Sequence, residues 1–194
     1  DASYPIRTCT NSVIYLDDPA MPGATVVGGR NGNGAPVLYN LETKTTKELK
    51  ELVSSDGTGQ VLQSLTNGSV GSGEIFVGTY GVVNSIVYNT EAGGFTTKFN
   101  TAGQSDGLIY YNGKLYAGCY PGAVLAEVDP VNNTVKTLIG NLQTDYKQMR
   151  IQRMTAADGK VFFGSVPDTG VYGGLIGWYD IETGEIYVER NTVD

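Results

Sequence analysis
The sequence predicts an all-β chain built from repeated four-stranded antiparallel units. Three observations carry this. The composition is rich in Gly (27) and Tyr (13) and poor in charge (17%), which suits short strands joined by tight turns. Residues 107–138 read as four consecutive strands. Two markers, a Gly after an apolar run and an Asn or Asp closing the next strand, then recur along the chain.

The 107–138 stretch sets the pattern. Leu108–Tyr111 and Lys114–Cys119 flank Asn112-Gly113, a type I′ hairpin signal. Ala123–Val128 is the third strand. Asp129-Pro130 and Asn132-Asn133 supply the turn into the fourth, Thr134–Leu138.

Taken in order, residues 1–12 are an ambiguous lead-in. The first unit has expected strands at 13–17, 24–29, 37–41 and 44–49, and 42–53 is the one stretch with some helical character. The second has strands at 61–66, 74–79, 85–89 and 95–99. The fourth has 151–156, 160–165, 175–181 and 185–189, with Asp158-Gly159 and Thr183-Gly184 at its hairpins. The second strands end on Gly28, Gly78, Gly118 and Gly164. The third strands end on Asn40, Asn89, Asp129 and Asp180. Both markers recur every 40 to 51 residues, the period of a β-propeller blade. The glycines are expected where neighbouring blades approach too closely for a Cβ. The Asn or Asp is expected to bond amides of the following turn.

The expected architecture is a β-propeller with four blades, at about 13–49, 61–99, 107–138 and 151–190. It is either a compact ring or half of a larger one. No closing strand is evident after Arg190, which favours the larger ring. Further blades would come from the rest of a longer chain or from a second copy.

Tyr179-Asp180-Ile181-Glu182-Thr183-Gly184-Glu185 resembles the D-x-x-T-G turn of quinoprotein-like and YVTN-like propeller repeats. Gly113–Gly118, with Tyr120-Pro121-Gly122-Ala123 and Asp129-Pro130, resembles repeats of secreted bacterial propellers, some attached to polysaccharide-acting proteins. The resemblance implies the blade rather than a chemistry. Trp178 is the only Trp, so the quinone and Ca²⁺ site of the dehydrogenases is not carried over, and no cofactor is expected.

The chemistry is bounded by what is missing. There is no His, which removes His-based triads and metal sites. Cys9 and Cys119 are far apart, so no thiolate metal site is expected. They are expected to be buried and unbonded to each other, because they fall on different blades. The Gly28–Gly34 run lacks the Lys-Ser/Thr of a phosphate loop and reads as a hairpin loop. A net charge of −7 with scattered Lys and Arg opposes nucleic-acid binding, and no apolar run is long enough to span a bilayer. The chain opens on Asp1-Ala2-Ser3 rather than Met. With low charge and polar turns, this leads to the expectation of an extracellular, secreted protein. Asn67-Gly68-Ser69 and Asn132-Asn133-Thr134 are glycosylation sequons.

Loops after second strands and between blades converge at one mouth of a propeller. After the second strands come Arg30, Tyr80, Tyr120 and Asp168, and between blades come Ser55-Asp56, Gln104-Ser105-Asp106 and Asp145–Arg150, which places Arg30, Tyr80, Tyr120 and Asp168, together with Asp106, Tyr146 and Arg150, on one candidate ligand face. Tyr80 and Tyr120 follow Gly78-Thr79 and Gly118-Cys119 in the same slot, which Arg30 fills in blade one and Val166 in blade four. Tyr faces beside Arg and carboxylates suit a sugar ring or a protein surface. The alternative is that the tyrosines pack between blades. An Arg turned inward, Arg150 or Arg153, needs a carboxylate, and Asp106 or Asp168 is available. The expected function is an extracellular module binding a glycan or a protein. One alternative is a polysaccharide lyase using Tyr and Arg, or a hydrolase pairing Asp106 with Asp168. Another is a structural repeat of a surface layer or filament.

Overall fold
The computed structural model describes residues 25–30, 36–48, 62–68, 73–80, 84–89 and 94–190. Among the described residues fifteen strands form four antiparallel sheets, each a meander in sequence order. The first sheet is β1 (Thr25–Arg30), β2 (Pro36–Asn40) and β3 (Thr46–Glu48). The second is β4 (Leu62–Asn67), β5 (Glu74–Thr79), β6 (Asn84–Asn89) and β7 (Gly94–Asn100). The third is β8 (Gln104–Tyr111), β9 (Lys114–Tyr120), β10 (Val124–Asp129) and β11 (Thr134–Ile139). The fourth is β12 (Gln148–Ala157), β13 (Lys160–Pro167), β14 (Leu175–Asp180) and β15 (Ile186–Arg190). A single short helix among the described residues, α1 (Leu142–Tyr146), joins β11 to β12. It is too short to cross a membrane.

These are propeller blades. β4 packs on β8, β8 on β12, and β5 and β9 reach the inner strand of the following blade. The packing follows the two-residue period of a strand. In blade three, Leu115, Ala117, Cys119, Ala126 and Val128 face Phe76, Val87 and Phe99 of blade two. The alternate residues, Tyr116, Leu125 and Ile139, face Ile151, Val161, Phe163 and Leu175 of blade four. Blade three is therefore apolar on both faces, and each fully buried Leu, Ile or Phe contributes about 1.5–3 kcal/mol of transfer free energy.

The glycine marker has its expected role at Gly78 and Gly118, and the Asn or Asp marker at Asn40, Asp129 and Asp180; at Gly164 nothing lies within 4 Å. A Cβ on Gly78 would lie 2.7 Å from Ser105 Cβ and 2.8 Å from the Ser105 carbonyl oxygen. On Gly118 it would lie 2.5 Å from Ile151 Cγ2 and 2.8 Å from the Ile151 carbonyl oxygen. These glycines let the next inner strand lie against the sheet. At the third-strand ends, Asn40 Oδ1 accepts from the amides of Glu42 and Thr43. Asp129 Oδ1 accepts from those of Val131 and Asn132, and Asp180 Oδ1 from those of Glu182 and Thr183. Four residues on, the backbone turns left-handed at Lys44, Asn133 and Gly184 (φ 58°, 54° and 75°). Asn112-Gly113 and Asp158-Gly159 have the paired positive φ of the expected hairpin turn.

Two expectations are corrected. Gln104-Ser105-Asp106, read as a connection between blades, is the start of β8. Of Asp145–Arg150, also read as a connection, Asp145–Lys147 lie between the blades as the end and cap of α1, and Gln148–Arg150 are the start of β12. In both places polar side chains suggested a loop, whereas Gln104, Asp106 and Gln148 are buried and Asp106 is bonded to Gln104 and Arg150. The closing strand expected at 44–49 is present as β3, and the helical alternative at 42–53 is a turn and strand as far as Glu48, the rest lying outside the described residues. The expected strand at 13–17, the Gly-Asn loop after Arg30 and the Ser55-Asp56 connection lie outside the described residues, as does Cys9. Cys119 is buried with a free thiol, pushed up to about 12 by burial.

Candidate binding face
One end of the blades gathers the C-termini of the second strands and the N-termini of the inner strands. Each inner strand carries an irregularity there. The register slips between Leu62 and Ser64 in β4, Ser105 and Gly107 in β8, and Ile151 and Arg153 in β12. The extra residue is Gln63 in β4, Asp106 in β8 and Gln152 in β12, where a second slip between Gln148 and Arg150 makes Met149 extra as well. Such a bulge bends the strand and re-aims a side chain, and at Asp106 it turns a carboxylate inward.

Asp106 is fully buried. Its Oδ1 accepts from Gln104 Nε2 at 2.6 Å and its Oδ2 from Arg150 Nη1 at 2.9 Å. Gln63 of blade two also bonds it. Burial raises the pKa of this carboxyl above the ordinary value, against the bonds from Gln104, Arg150 and Gln63. The Arg150 guanidinium lies over the Tyr120 ring, 4.5 Å from its centroid. Three blades thus meet in one network: Gln63 from blade two, Gln104, Asp106 and Tyr120 from blade three, and Arg150 from blade four. The inward Arg is Arg150, and its carboxylate is Asp106 rather than Asp168. Arg153 is on the surface, where Nη1 reaches the Gln152 carbonyl at 3.5 Å.

Asp168 serves the connection between blades. Its Oδ1 accepts from Gln143 Nε2 on α1 at 2.7 Å, and its amide donates to the Lys147 carbonyl at 2.9 Å. α1 is capped by Asn141, whose side chain accepts from the amides of Gln143 and Thr144. It stops at Lys147, which has left-handed φ. Tyr146 is half-buried against the core between blades three and four. Gln148 is fully buried: Nε2 donates to the carbonyls of Tyr146 and Gly173, and Oε1 accepts from Ser165 Oγ.

Tyr80 follows β5 directly, at the slot that Tyr120 fills at the end of β9, and it is 62% exposed. The two tyrosines therefore differ. Tyr120 is a packing platform for Arg150, and Tyr80 is open to solvent. Arg30 closes β1; its side chain lies outside the described residues. Sequence reasoning passed over Gln63 and Gln143, and it gave Gln104 and Gln148 no role beyond their place between blades. The available signal was Gln104 two residues before Asp106, a spacing that puts both on one side of a strand. The pairing of Asp106 with Asp168 as a hydrolase couple is not served, since both Asp106 oxygens are engaged and no side-chain surface reaches solvent.

No protein-family model matches the chain, and no curated protein matches it. Solved structures do. The chain is similar to the RRP9 WD40 repeats (TM-score 0.64, 14% identity), covering 92% of this chain and 50% of that one. It is similar to the Swd1 (Cps50) β-propeller domain of Myceliophteria thermophila (TM-score 0.62, 16% identity), covering 97% and 57%. It is also similar to U3-55K (TM-score 0.66, 14% identity), covering 92% and 50%. The chain therefore spans about half the length of these propellers. The likeness establishes the propeller fold. It also corrects the resemblance to secreted bacterial quinoprotein-like and YVTN-like repeats, because these neighbours are WD40 propellers. The short turn motifs that carried that resemblance are set by blade geometry, and the Asp180 turn has the same amide bonds as those at Asn40 and Asp129.

Proposed function
We propose that this propeller is a non-catalytic scaffold that binds a protein partner on the end of the blades where Tyr80 is exposed. The observation that carries the reading is the closed network beneath that surface. Asp106 is spent on Arg150 and Gln104, Arg150 on Asp106 and Tyr120, and Asp168 on Gln143. A general acid or nucleophile must reach its substrate, whereas these groups hold blades together. What they support is a rigid rim with an aromatic on it. Tyr supplies a large contact area with little rotamer entropy to lose, as interface anchors do. The likeness to WD40 propellers, which commonly bind proteins, supports the same reading.

A photo-crosslinking residue at position 80 tests it, with one at Val131, 88% exposed in the β10–β11 turn at the other end of the blade, as control. A discrete protein adduct from position 80 alone, with binding of that protein weakened at least about tenfold by Tyr80→Ala, supports the reading. Calorimetric binding of a neutral or acidic oligosaccharide that Tyr80→Ala abolishes would replace it with the glycan alternative.

A further inference from the structure
One position breaks the repeat at the seam between blades two and three. Tyr39 precedes Asn40, Tyr88 precedes Asn89 and Tyr179 precedes Asp180, whereas Val128 precedes Asp129. Register makes these positions equivalent. Tyr88 pairs with Ile75, Val128 with Leu115 and Tyr179 with Val161, each three residues before the glycine of its blade. In blade four the ring fills the seam with blade three. Tyr179 packs against the core that the two blades share. Its hydroxyl oxygen lies 3.8 Å from where a Cβ on Gly184 would be, so the ring runs along the β14–β15 turn. Tyr111 helps close that seam, its hydroxyl accepting from the Gly159 amide at 3.1 Å.

At the seam of blades two and three, Val128 is too short to reach along its turn. The inner strand supplies a ring instead: Tyr110 pairs with Leu115 where blade four has Ala156 paired with Val161. That ring lies flat on Phe76, with centroids 6.0 Å and planes 9° apart. A groove of about 540 Å³ remains along the β10–β11 turn, with Phe76, Val87 and Val128 beneath it and Tyr110 as a wall. Glu74, Lys114 and Asp129 stand at its rim. The Lys114 ammonium is answered by Glu127 at 3.4 Å, which leaves the carboxylates of Glu74 and Asp129 to make the rim negative. The Asn132 amide and side chain and the Val131 amide hold Asp129 below the ordinary carboxylate range, so it keeps its charge at neutral pH.

We propose that this groove is a binding site for a small aromatic cation, a ring joined by a short tether to a protonated amine. The ring takes the place beside the β10–β11 turn that Tyr179 takes beside the β14–β15 turn. Burial against Val87, Val128 and the Tyr110 ring favours it there. The amine lies at the rim, where the two carboxylates select a cation over a neutral or anionic analogue. The volume is in the range of small-ligand sites, about 300–1,000 Å³. The site goes beyond the protein-binding reading and does not depend on it, because it opens at the start of β5, whereas Tyr80 follows the end of that strand.

Titration calorimetry with three probes that share one ring tests it: tyramine carries the amine, para-ethylphenol is neutral and phloretate carries a carboxylate. Tyramine is expected to bind one to one, tighter than about 1 mM, and the other two at least about fivefold more weakly. Val128→Tyr places in the groove the ring that blade four already has, and should abolish tyramine binding while the urea midpoint stays at or above that of the parent. A second variant carries the test independently of that substitution. Glu74→Gln with Asp129→Asn removes both charges, and Asn at this position keeps the turn as Asn40 does. It should lower tyramine affinity to that of para-ethylphenol and leave para-ethylphenol unchanged. Absence of tyramine binding would overturn the proposal, as would equal affinity for the three probes. Tyramine affinity that survives the charge-removing pair, or survives Val128→Tyr in a folded protein, would overturn it too.

Discussion
The glycine at the end of each second strand gives a comparison in which the substitution is the same and only the neighbour differs. In Gly118→Ala the new Cβ meets Ile151 Cγ2 at 2.5 Å, its carbonyl oxygen at 2.8 Å and its Cβ at 2.9 Å. Ordinary contact begins near 3.4 Å. A rotamer change can withdraw Cγ2, at some cost in a stiff β-branched side chain. It cannot withdraw the carbonyl or Cβ, so β12 itself must retreat from β9. Overpacking of this kind costs about 1–3 kcal/mol, and contact with backbone places it at the upper end. Gly164→Ala enters open space at a residue whose φ is not left-handed. There the smaller entropy of the unfolded chain stabilises by about 0.4–1 kcal/mol. The two variants should differ by about 2–4 kcal/mol. With a urea m-value of about 2 kcal/mol/M, their midpoints separate by about 1–2 M. Equilibrium urea unfolding followed by Trp178 fluorescence measures this. Adding Ile151→Ala to Gly118→Ala should recover only part of the coupling, because Cβ and the carbonyl remain. A Gly118→Ala midpoint equal to or above that of Gly164→Ala would refute the reading of these glycines as clearances between blades.

Arg150→Met removes the cation from a buried carboxylate and should destabilise by about 3 kcal/mol near neutral pH. Asp106 has a folded pKa above its unfolded value, so its ionised form is the penalised one. The loss should therefore shrink as pH falls through that raised pKa, which urea melts at pH 7 and pH 4 resolve. The Asp180 carboxyl is held far below the usual range by its bond from Lys160 and the Thr183 amide. That stability is present above the unfolded value of about 4 and is lost as pH falls through the folded one. Asp180→Asn, the residue at the equivalent Asn40, should keep the turn and flatten the acid side of the stability profile. Lys44 holds the left-handed turn position that Gly184 fills in blade four. Lys44→Gly should stabilise, and Gly184→Ala destabilise, each by about 1 kcal/mol, read as opposite shifts in urea midpoint.

Blades two to four were legible in the sequence because their signals are local. The apolar run before Gly78, Gly118 or Gly164 needs only the two-residue period of a strand, and the turns after Asn40, Asp129 and Asp180 need only a side chain that reaches amides two and three residues on. Inner strands were harder. β8 begins at Gln104, four residues before its expected start, because Gln104-Ser105-Asp106 has the polarity of a loop. Its burial depends on Arg150, 44 residues away, and no local rule supplies a partner at that distance. α1 was missed at five residues, with Asn141 as its cap, because so short a helix has no periodicity to detect.

The candidate site shows the same division more sharply. Composition pointed to Tyr, Arg and carboxylates at one end of the blades, and slot equivalence put Tyr80 with Tyr120. Equivalence in register fixes direction, not accessibility. Tyr120 has Arg150 over its ring because blade four follows it, and the β12 register places Arg150 opposite Val166, where β8 has Gln104 opposite Tyr120. A Gln in that register bonds the bulged Asp106 from its own strand; an Arg bonds the Asp106 of the preceding blade. One register position therefore yields a bond within a blade or between blades, according to side-chain length and charge. If the Arg150 bond locks blade four to blade three, Arg150→Met should weaken their docking together with overall stability. Hydrogen exchange then decides between a local and a shared role: faster exchange at Ile151 and Gly118 than at Ile75 and Val77 marks an interblade lock, and equal acceleration in all four marks a bond that stabilises the propeller as a whole.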